Sequence, residues 1–493
     1  MPDLDRRMMI AGASLIGAAA LARAARAGQL DPPAGGITPT GRSLRDVEPR
    51  FPININTASP SVLAVFTITQ PGAYVLTEPM SVPAGKSGIV IETDGPVSID
   101  LRGFAITGSP GAISAIRCPS TQCRYVEVYD GYISDFDGDG IDSGEAEMLD
   151  LDDLHISRCQ AGVYCRKNGS IVSCNFRSCS SHGFVWDSKP DLPGTSASRF
   201  CEVDDCEFME CGGHGALFSV TDMSPTSSAV CSMCDCDCVG NNLDGVSVSV
   251  AATGSNPPSL SCQIESTCAT GNKRFGIDGE APVSPLGISG RLVIECCDCV
   301  CTSNSSHGMS LSGAQVSLED IDCIDNGGSG LVCDTVTGSI ECCQCSSNVL
   351  HGMVATNVQG AIEEVDCRRN GADGMVCATL TGSVEDCEFS HNTGAGLRYT
   401  ADSSICTCAR CHFVSNGAEG MFADATCNGL TVTDSEARSN AVGIRVDSSN
   451  NVLLWNMCSG NGLNYQLDPA MPVVVIAPSD MPSNTNPHAN YSL

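Results

Sequence analysis

Aromatic residues make up only 5% of the 493-residue chain, and basic side chains number 26 against 57 carboxylates. The first scarcity limits any sugar-stacking surface, because rings supply the large apolar faces on which sugars lie. The second excludes nucleic acid as a partner: phosphate binding needs clustered Lys and Arg, and here they are scattered through a chain of net charge −31. Such a surface favours metal cations instead. A third absence concerns periodicity. Beyond the N-terminal apolar run, no segment sustains a 3.6-residue apolar period, so little of the chain reads as helix.

What the chain does have is a ruler. Gly183, Gly215, Gly245, Gly276, Gly308, Gly330, Gly352, Gly374, Gly396, Gly420 and Gly443 each precede an apolar residue or alanine, and the steps from Gly308 to Gly396 are 22 residues each. Upstream, the steps between Gly183 and Gly308 lengthen to 30 to 32. Asn304, Asn326, Asn348, Asn370 and Asn392 form a second ruler, each four residues before its glycine. A period of this size marks stacked units, each burying its apolar face against the next. Within one unit Leu318, Ile321 and Cys323 alternate with polar residues, which reads as short strands with one buried face. The Asn and Gly positions are expected to supply left-handed bends. The chain is therefore predicted to be all-β, with coils of about 22 residues stacked along one axis.

Leu318 to Asn326 also matches the spacing of the leucine-rich repeat. Its key positions hold Cys, Ile and Val, however, and a second β-like stretch follows where that repeat has a helix. The repeats over about residues 85 to 465 resemble those of right-handed parallel β-helix proteins, the pectate-lyase-like superfamily. The segments Gly72-Ala-Tyr-Val-Leu and Gly88-Ile-Val-Ile, with Asp100-Leu and Gly103-Phe, are similar to the entry region of its exported members. The resemblance implies a right-handed parallel β-helix and leaves the activity open, since that fold hosts lyases, hydrolases, epimerases and non-enzymes.

Asp5-Arg6-Arg7 followed by an Ala-rich run ending in Ala25-Arg26-Ala27 has the layout of an export signal over residues 1–27. Its paired arginines resemble a twin-arginine leader, although the usual downstream lysine is missing. The apolar run is too short for a membrane span. Residues 28–84 are read as a lead-in and N-terminal cap, 85–465 as the solenoid and 466–493 as a C-terminal cap or tail.

Cysteines number 32, and Cys301, Cys323, Cys345 and Cys367 share one site in successive coils. Coils about 4.8 Å apart hold parallel side chains slightly beyond the preferred Cβ separation of a disulfide. The spacing fits a ladder of small buried hydrophobes, with disulfide staples as the alternative in an oxidising compartment. Cys234/Cys236/Cys238 and Cys296/Cys297/Cys299/Cys301 lack the spacing of a zinc site.

Between the apolar positions the content is acidic: Asp152 and Asp153; Asp204, Asp205 and Glu207; Asp235 and Asp237; Asp298; Glu319, Asp320 and Asp322; Glu363, Glu364 and Asp366; Glu385, Asp386 and Glu388. In register these form a stripe of like charges, which destabilise one another unless offset. Calcium is the expected partner, with a solvated acidic face as the alternative. Asp135, Asp137, Asp139 and Asp142 repeat the opening of a calcium loop, but the twelfth position is Ala146 and no helices flank it.

Catalysis has two candidate settings. Asp152/Asp153 with Ser181-His182-Gly183, and Asp204/Asp205 with Gly213-His214-Gly215, echo the polygalacturonase-like hydrolases, in which one acid protonates the leaving oxygen and another activates water. The R-I-K and N-T-D elements of that family are missing, as are the Tyr-Gly and Asp-Pro-His elements of the epimerases. His182, His214, His307 and His351 all precede ruler glycines, which fits a turn position equally well. For a lyase the only basic candidates are Arg199, Arg291 and Arg410. Trp186 falls at an inward slot; Tyr125, Tyr129 and Tyr132 are the exposed aromatic candidates for substrate contact. The longer coils between Gly183 and Gly308 must project loops, such as Lys189 to Ser198 and Ser224 to Ala229, so a cleft is expected there. The leading expectation is an exported calcium-binding protein that associates with extracellular or envelope polysaccharide. A polysaccharide lyase or glycoside hydrolase is the alternative, and a purely structural envelope protein the second.

Overall fold

The computed structural model describes residues 50–493 apart from 55–60, 120–122, 145, 189–197, 222–227, 252–257, 283–289, 401–405, 478–485 and 487. The export-signal reading and most of the projecting loops lie outside the described residues. The described chain stacks three short strands per coil. In one coil these are Met353–Val358, Ala361–Glu363 and Asp366–Arg368, called here the first, second and third strands. Each pairs in parallel with its counterpart 22 residues on: Met353 with Met375, Ile362 with Val384, Cys367 with Phe389. The inward side chains Met353, Ile362, Val365 and Cys367 are fully buried. Every coil thus lends its apolar face to two neighbours, which sustains a solenoid core without a second layer. Paired strands begin at Phe51–Ile53 against Tyr74–Leu76, inside the region read as a lead-in and cap, and continue to Met457 with Tyr491.

The bends do not arise where the sequence pattern put them. Left-handed backbone falls on the residue between second and third strands, as at Asp320 (φ 53°), Glu364 (φ 55°) and Asp386 (φ 53°), and on the residue after the third strand, as at Asp325 (φ 56°) and Arg369 (φ 57°). These are the first and second bends of the coil. None of the eleven ruler glycines and none of the ruler asparagines has positive φ. The glycines answer a different need, close approach: a Cβ on Gly352 would lie 2.6 Å from the carbonyl oxygen of Gly374 and 2.7 Å from Asn370 Nδ2.

The asparagines bond coil to coil. Asn348 Nδ2 donates to Asn370 Oδ1 (3.1 Å) and to the Cys323 carbonyl (3.0 Å), and its backbone N–H also donates to Asn370 Oδ1 (3.0 Å). The same pattern runs from Asn241 to Asn461. It satisfies buried backbone groups at a bend that no strand ladder reaches. Before Asn241, Cys159, Cys179 and Cys211 fill this slot, and the Cys211 N–H donates to Asn241 Oδ1 at 3.0 Å. A matching slot follows the first bend. There Cys174, Cys206, Cys236, Cys299, Cys343, Cys387 and Cys411 each donate to the carbonyl two residues back. Thr267 and Ser435 occupy the same slot and make the same bond.

Candidate functional site

The acidic stripe is in register. Glu319 pairs with Glu341, Glu341 with Glu363 and Glu363 with Glu385 at the ends of the second strands. Asp298, Asp320, Glu364 and Asp386 occupy the first bend beside them, and Asp322, Asp366 and Glu388 start the third strands. One edge of the solenoid therefore carries three acidic columns: the Glu319–Glu385 column is unbroken at about one strand spacing, while Cys342 and Gln344 interrupt the other two. Burial and then Asp320 hold the Asp322 carboxyl above its usual range. Arg410 closes the far end, reaching Glu385 Oε2 at 2.6 Å and Asp386 Oδ2 at 2.7 Å, and it holds Asp386 low.

Toward the N-terminus this edge becomes concave. A cleft of about 210 Å³ is lined by His155, Asn175, Asp205, Glu207, Asp235 and Asp237 among others. A second, of about 410 Å³, lies on the second-strand face between Glu127, Tyr129, Asp150, Asp152 and Val172. Asp152 and Asp204 each pair with Val172, so they belong to one column two coils apart. Both carboxyls are raised, by desolvation first and then by neighbouring carboxylates: Asp153 and Asp150 at Asp152, Asp235 and Asp205 at Asp204. Asp153 and Asp205 sit at the first bend with φ 51° and 50°. Among the described residues one set of metal-ligating atoms converges, Asp204, Cys234 and Asp235, within 4.8 Å of one another.

The three tyrosines share this region. Tyr125 donates to Asp150 Oδ2 at 2.8 Å, and burial raises its phenol. Tyr129 lines the larger cleft. Tyr132, 49% exposed, stacks on His155 with centroids 5.0 Å apart and planes 12° from parallel. His155 was not singled out in the sequence. Its register with Tyr132 makes it the second ring of a flat exposed platform beside the smaller cleft.

Two expected constellations do not assemble. In the calcium-like loop each carboxylate has its own partner. Arg158 binds both oxygens of Asp135 (2.6 and 2.8 Å) and lowers it, Gly111 N–H donates to Asp137, Ala161 N–H to Asp139, and Arg117 to Asp142. No three of these residues bring ligand atoms within 4.8 Å of one another; each carboxylate is held in its own bond. Nor do His182 and His214 face the aspartates. Strand Glu207–Met209 and the second bend separate Asp205 from His214, and neither histidine lines the cleft that holds Asp205. His182 Nδ1 instead accepts the His214 N–H at 3.0 Å, and the two rings stack at 5.1 Å. Burial, then His214, pushes His182 down to about 4. A network the sequence did not reveal continues from there. His214 Nδ1 lies 2.9 Å from the buried Asp244, which Arg274 also binds, and Arg274 reaches Asp278 at 2.8 Å. Burial raises Asp278 to about 6, with Asp244 adding to it. The signal was there in part, since Asp244 precedes Gly245 as His214 precedes Gly215. The loops expected to wall a cleft over residues 183–308 fall largely outside the described residues, and the two clefts on this edge are lined by residues 127–237. Trp186 is core, as expected.

The chain is a right-handed parallel β-helix. A family model described as a right-handed β-helix region matches residues 307–457. The solved structures similar to it include the periplasmic alginate epimerase AlgG, at 10% identity over 82% of this chain and 84% of that one, with a TM-score of 0.37. The A-module of the mannuronan C-5 epimerase AlgE4 of Azotobacter vinelandii is 13% identical over 78% and 91%, with a TM-score of 0.34. Tailspike protein 3 of bacteriophage CBA120 is 12% identical over 92% and 68%, with a TM-score of 0.27. No curated protein sequence matches the chain. Among the described residues no helix is long and apolar enough to cross a membrane.

Proposed function

We propose that the protein is exported and binds extracellular or envelope polysaccharide along its acidic edge, with calcium bridging the carboxylate columns and the glycan. The observation that carries this reading is the presence of two clefts on this edge, lined by residues 127–237, with the Tyr132–His155 platform at the N-terminal end of the smaller cleft's column. Carboxylates, Asn175 and Tyr129 offer acceptors and donors to sugar hydroxyls, and the stacked rings offer the apolar face a pyranose covers. The bends and strand ends supply hard oxygen ligands in rows, which suits calcium better than the Cys234 thiol does. Retardation on gels cast with neutral and uronate polysaccharides, with calcium or a chelator, tests the reading. Retardation should weaken with the chelator and with Tyr132→Ala; mobility unchanged by every glycan sinks it and favours a purely structural role. A hydrolase or lyase is the second reading, favoured by the raised carboxyls of Asp152 and Asp204 in one column. New reducing ends or unsaturated products, abolished by Asp204→Asn, would put it first.

A further inference from the structure

We infer that the half-buried histidines preceding the ruler glycines form a pH-sensitive latch between coils, and that acid releases it at His182 and His307. In this slot the side chain of one coil accepts the backbone N–H of the residue in the same slot one coil on. His182 Nδ1 accepts from His214 (3.0 Å), His307 Nδ1 from Ser329 (2.9 Å) and His351 Nδ1 from Asp373 (3.2 Å). In other coils an oxygen does the same. Asp139 accepts from Ala161 (3.1 Å), Asp244 from Phe275 (3.0 Å), Asp373 from Ala395 (2.6 Å) and Ser329 Oγ from His351 (3.3 Å). One corner of the solenoid is thus held by one kind of bond with two kinds of acceptor.

The two kinds answer acid differently. An imidazole accepts through Nδ1 only while that nitrogen is bare; once protonated, both ring nitrogens donate, and N–H faces N–H. An aspartate accepts through an oxygen whether it is charged or neutral. Neighbouring groups then decide which histidines fail. His214 Nδ1 lies 2.9 Å from Asp244 Oδ2 and 3.4 Å from the Asp244 backbone nitrogen, while His351 Nδ1 lies 3.7 Å from Asp373 Oδ2. A carboxylate therefore receives the proton at both, although Arg274 shares Asp244 and Arg398 shares Asp373.

His182 and His307 have no such relief. Among the described residues, the histidines within 4.0 Å of a carboxylate are His214, His351 and His412. His182 stacks on His214, beyond which come Asp244, Arg274 and Asp278; on its other side the slot holds Ala161 and then Asp139. His307 stacks on Phe275 at 5.5 Å, with Arg274 4.8 Å from that ring, and Ser329 lies on its other side. Burial holds both rings below the ordinary histidine range, and His214 adds to this at His182. The latch is closed at neutral pH, and its contribution is lost as pH falls through those lowered values. Release loosens these two coils at the corner between second bend and first strand, while the aspartate-held coils stay shut.

The test uses the full chain. Nuclear magnetic resonance of isotope-labelled histidine reads the tautomers, with signals assigned by His182→Gln and His307→Asp. At neutral pH both rings should carry hydrogen on Nε2 and none on Nδ1. Amide hydrogen exchange from neutral pH down to about 4 reads the latch itself. Protection at His214 and Ser329 should fall roughly tenfold or more relative to Phe275 and Ala395, whose acceptors are aspartates. His307→Asp should abolish the loss at Ser329 and leave that at His214; aspartate already fills this slot at Asp139, Asp244 and Asp373, so folding is not the obstacle. Hydrogen on Nδ1 of either ring would overturn the inference. So would protection at His214 and Ser329 that stays flat or falls equally with Phe275 and Ala395, or an acid loss at Ser329 that survives His307→Asp.

Discussion

Replacing Asn348 by alanine removes one rung of the asparagine ladder and nothing else of consequence, because the residue is 1% exposed and its side chain serves only hydrogen bonds. Four bonds vanish. Asn348 no longer donates to the Cys323 carbonyl or to Asn370 Oδ1, and Asn326 loses the acceptor for its backbone N–H (3.1 Å) and one of its Nδ2–H groups (3.1 Å). The Asn326 side chain keeps the Cys301 carbonyl, but its N–H is left buried without a partner. One orphaned buried donor costs about 1–3 kcal/mol and the three other lost bonds about 1 kcal/mol each, so the expected loss is roughly 4–6 kcal/mol. Coils interact only with neighbours, so the damage should be local. Hydrogen exchange resolved to single amides reads it: protection at Asn326 should fall at least tenfold, while amides near residue 100 stay unchanged. Asn348→Cys supplies the internal comparison. Cysteine fills this slot at Cys211, and at the other bend the Cys206 sulfur accepts the Cys174 N–H at 3.4 Å, so this variant should lose clearly less than alanine. If the alanine and cysteine variants both match the native chain, the ladder does not hold the bend and the reasoning fails.

Gly352→Ala forces a Cβ to within 2.6 Å of a neighbouring backbone oxygen, and thermal unfolding should register a loss of about 1–3 kcal/mol. Gly169→Ala, whose Cβ meets only sulfur atoms at 3.5 and 3.6 Å, should be close to neutral. Two buried groups act in opposite senses with pH. Asp278 titrates near 6 in the fold and near 3.9 unfolded, so the folded chain holds the extra proton and stability falls as pH rises from about 4 to 6. His182 is lowered to about 4 from near 6.5, so its contribution is lost as pH falls through that window. The stability of Asp278→Asn, relative to native, should therefore rise with pH between about 4 and 6, and that of His182→Gln should decline; urea midpoints that stay parallel to the native curve refute both assignments. Stacked carboxylates repel by up to about 1 kcal/mol per neighbour before screening. Glu341→Gln, with Glu319 and Glu363 on either side, should raise the melting temperature at low salt and lose that advantage in 1 M NaCl; a salt-independent effect would mean the repulsion is not what was removed.

The periodic apolar positions and the in-register carboxylates were legible because a parallel solenoid converts a fixed sequence step directly into vertical contact. Glu319, Glu363 and Glu385 fall in one column for that reason, and Glu341 joins them by the same arithmetic. The bends were misplaced because the regular Asn and Gly positions drew the assignment to themselves, while left-handed backbone falls mostly on Asp and Ser, as at Asp320 and Ser303, and also on Cys342, Glu364 and Arg410. The sequence grouped His214 with Asp205 because Asp204-Asp205 and Gly213-His214-Gly215 echo a hydrolase pattern, although only nine positions lie from Asp205 to His214. In the coil those nine residues cross a whole strand and turn a bend, so nearness in sequence became distance around the perimeter. His155 escaped notice for the converse reason: its partner Tyr132 is 23 residues away in sequence and one rung away in space.

The two bends show how far this logic reaches. Each follows a left-handed residue with a slot whose side chain must answer buried backbone groups that no strand ladder covers. A thiol at Cys299, a hydroxyl at Thr267 and Ser435, and a carboxamide at Asn456 all meet that requirement at the first bend. The second bend passes from Cys211 to Asn241 with the inter-coil bond preserved. Thiol and hydroxyl here accept one bond from the coil before, as Cys206 Sγ does from the Cys174 N–H at 3.4 Å and Ser435 Oγ from the Cys411 N–H at 3.2 Å, and the carboxamide does the same, as Asn456 Oδ1 does from the Ser435 N–H at 3.1 Å. An asparagine ladder couples successive coils through two bonds, as Asn348 N–H and Nδ2 both donate to Asn370 Oδ1, where the serine or thiol accepts one. It follows that the stretch from Asn241 to Asn461 should open as larger cooperative units than the cysteine-slotted coils before it. Amide exchange that frays first within the asparagine stretch, and last around Cys159 and Cys179, would show that the carboxamides contribute no such coupling.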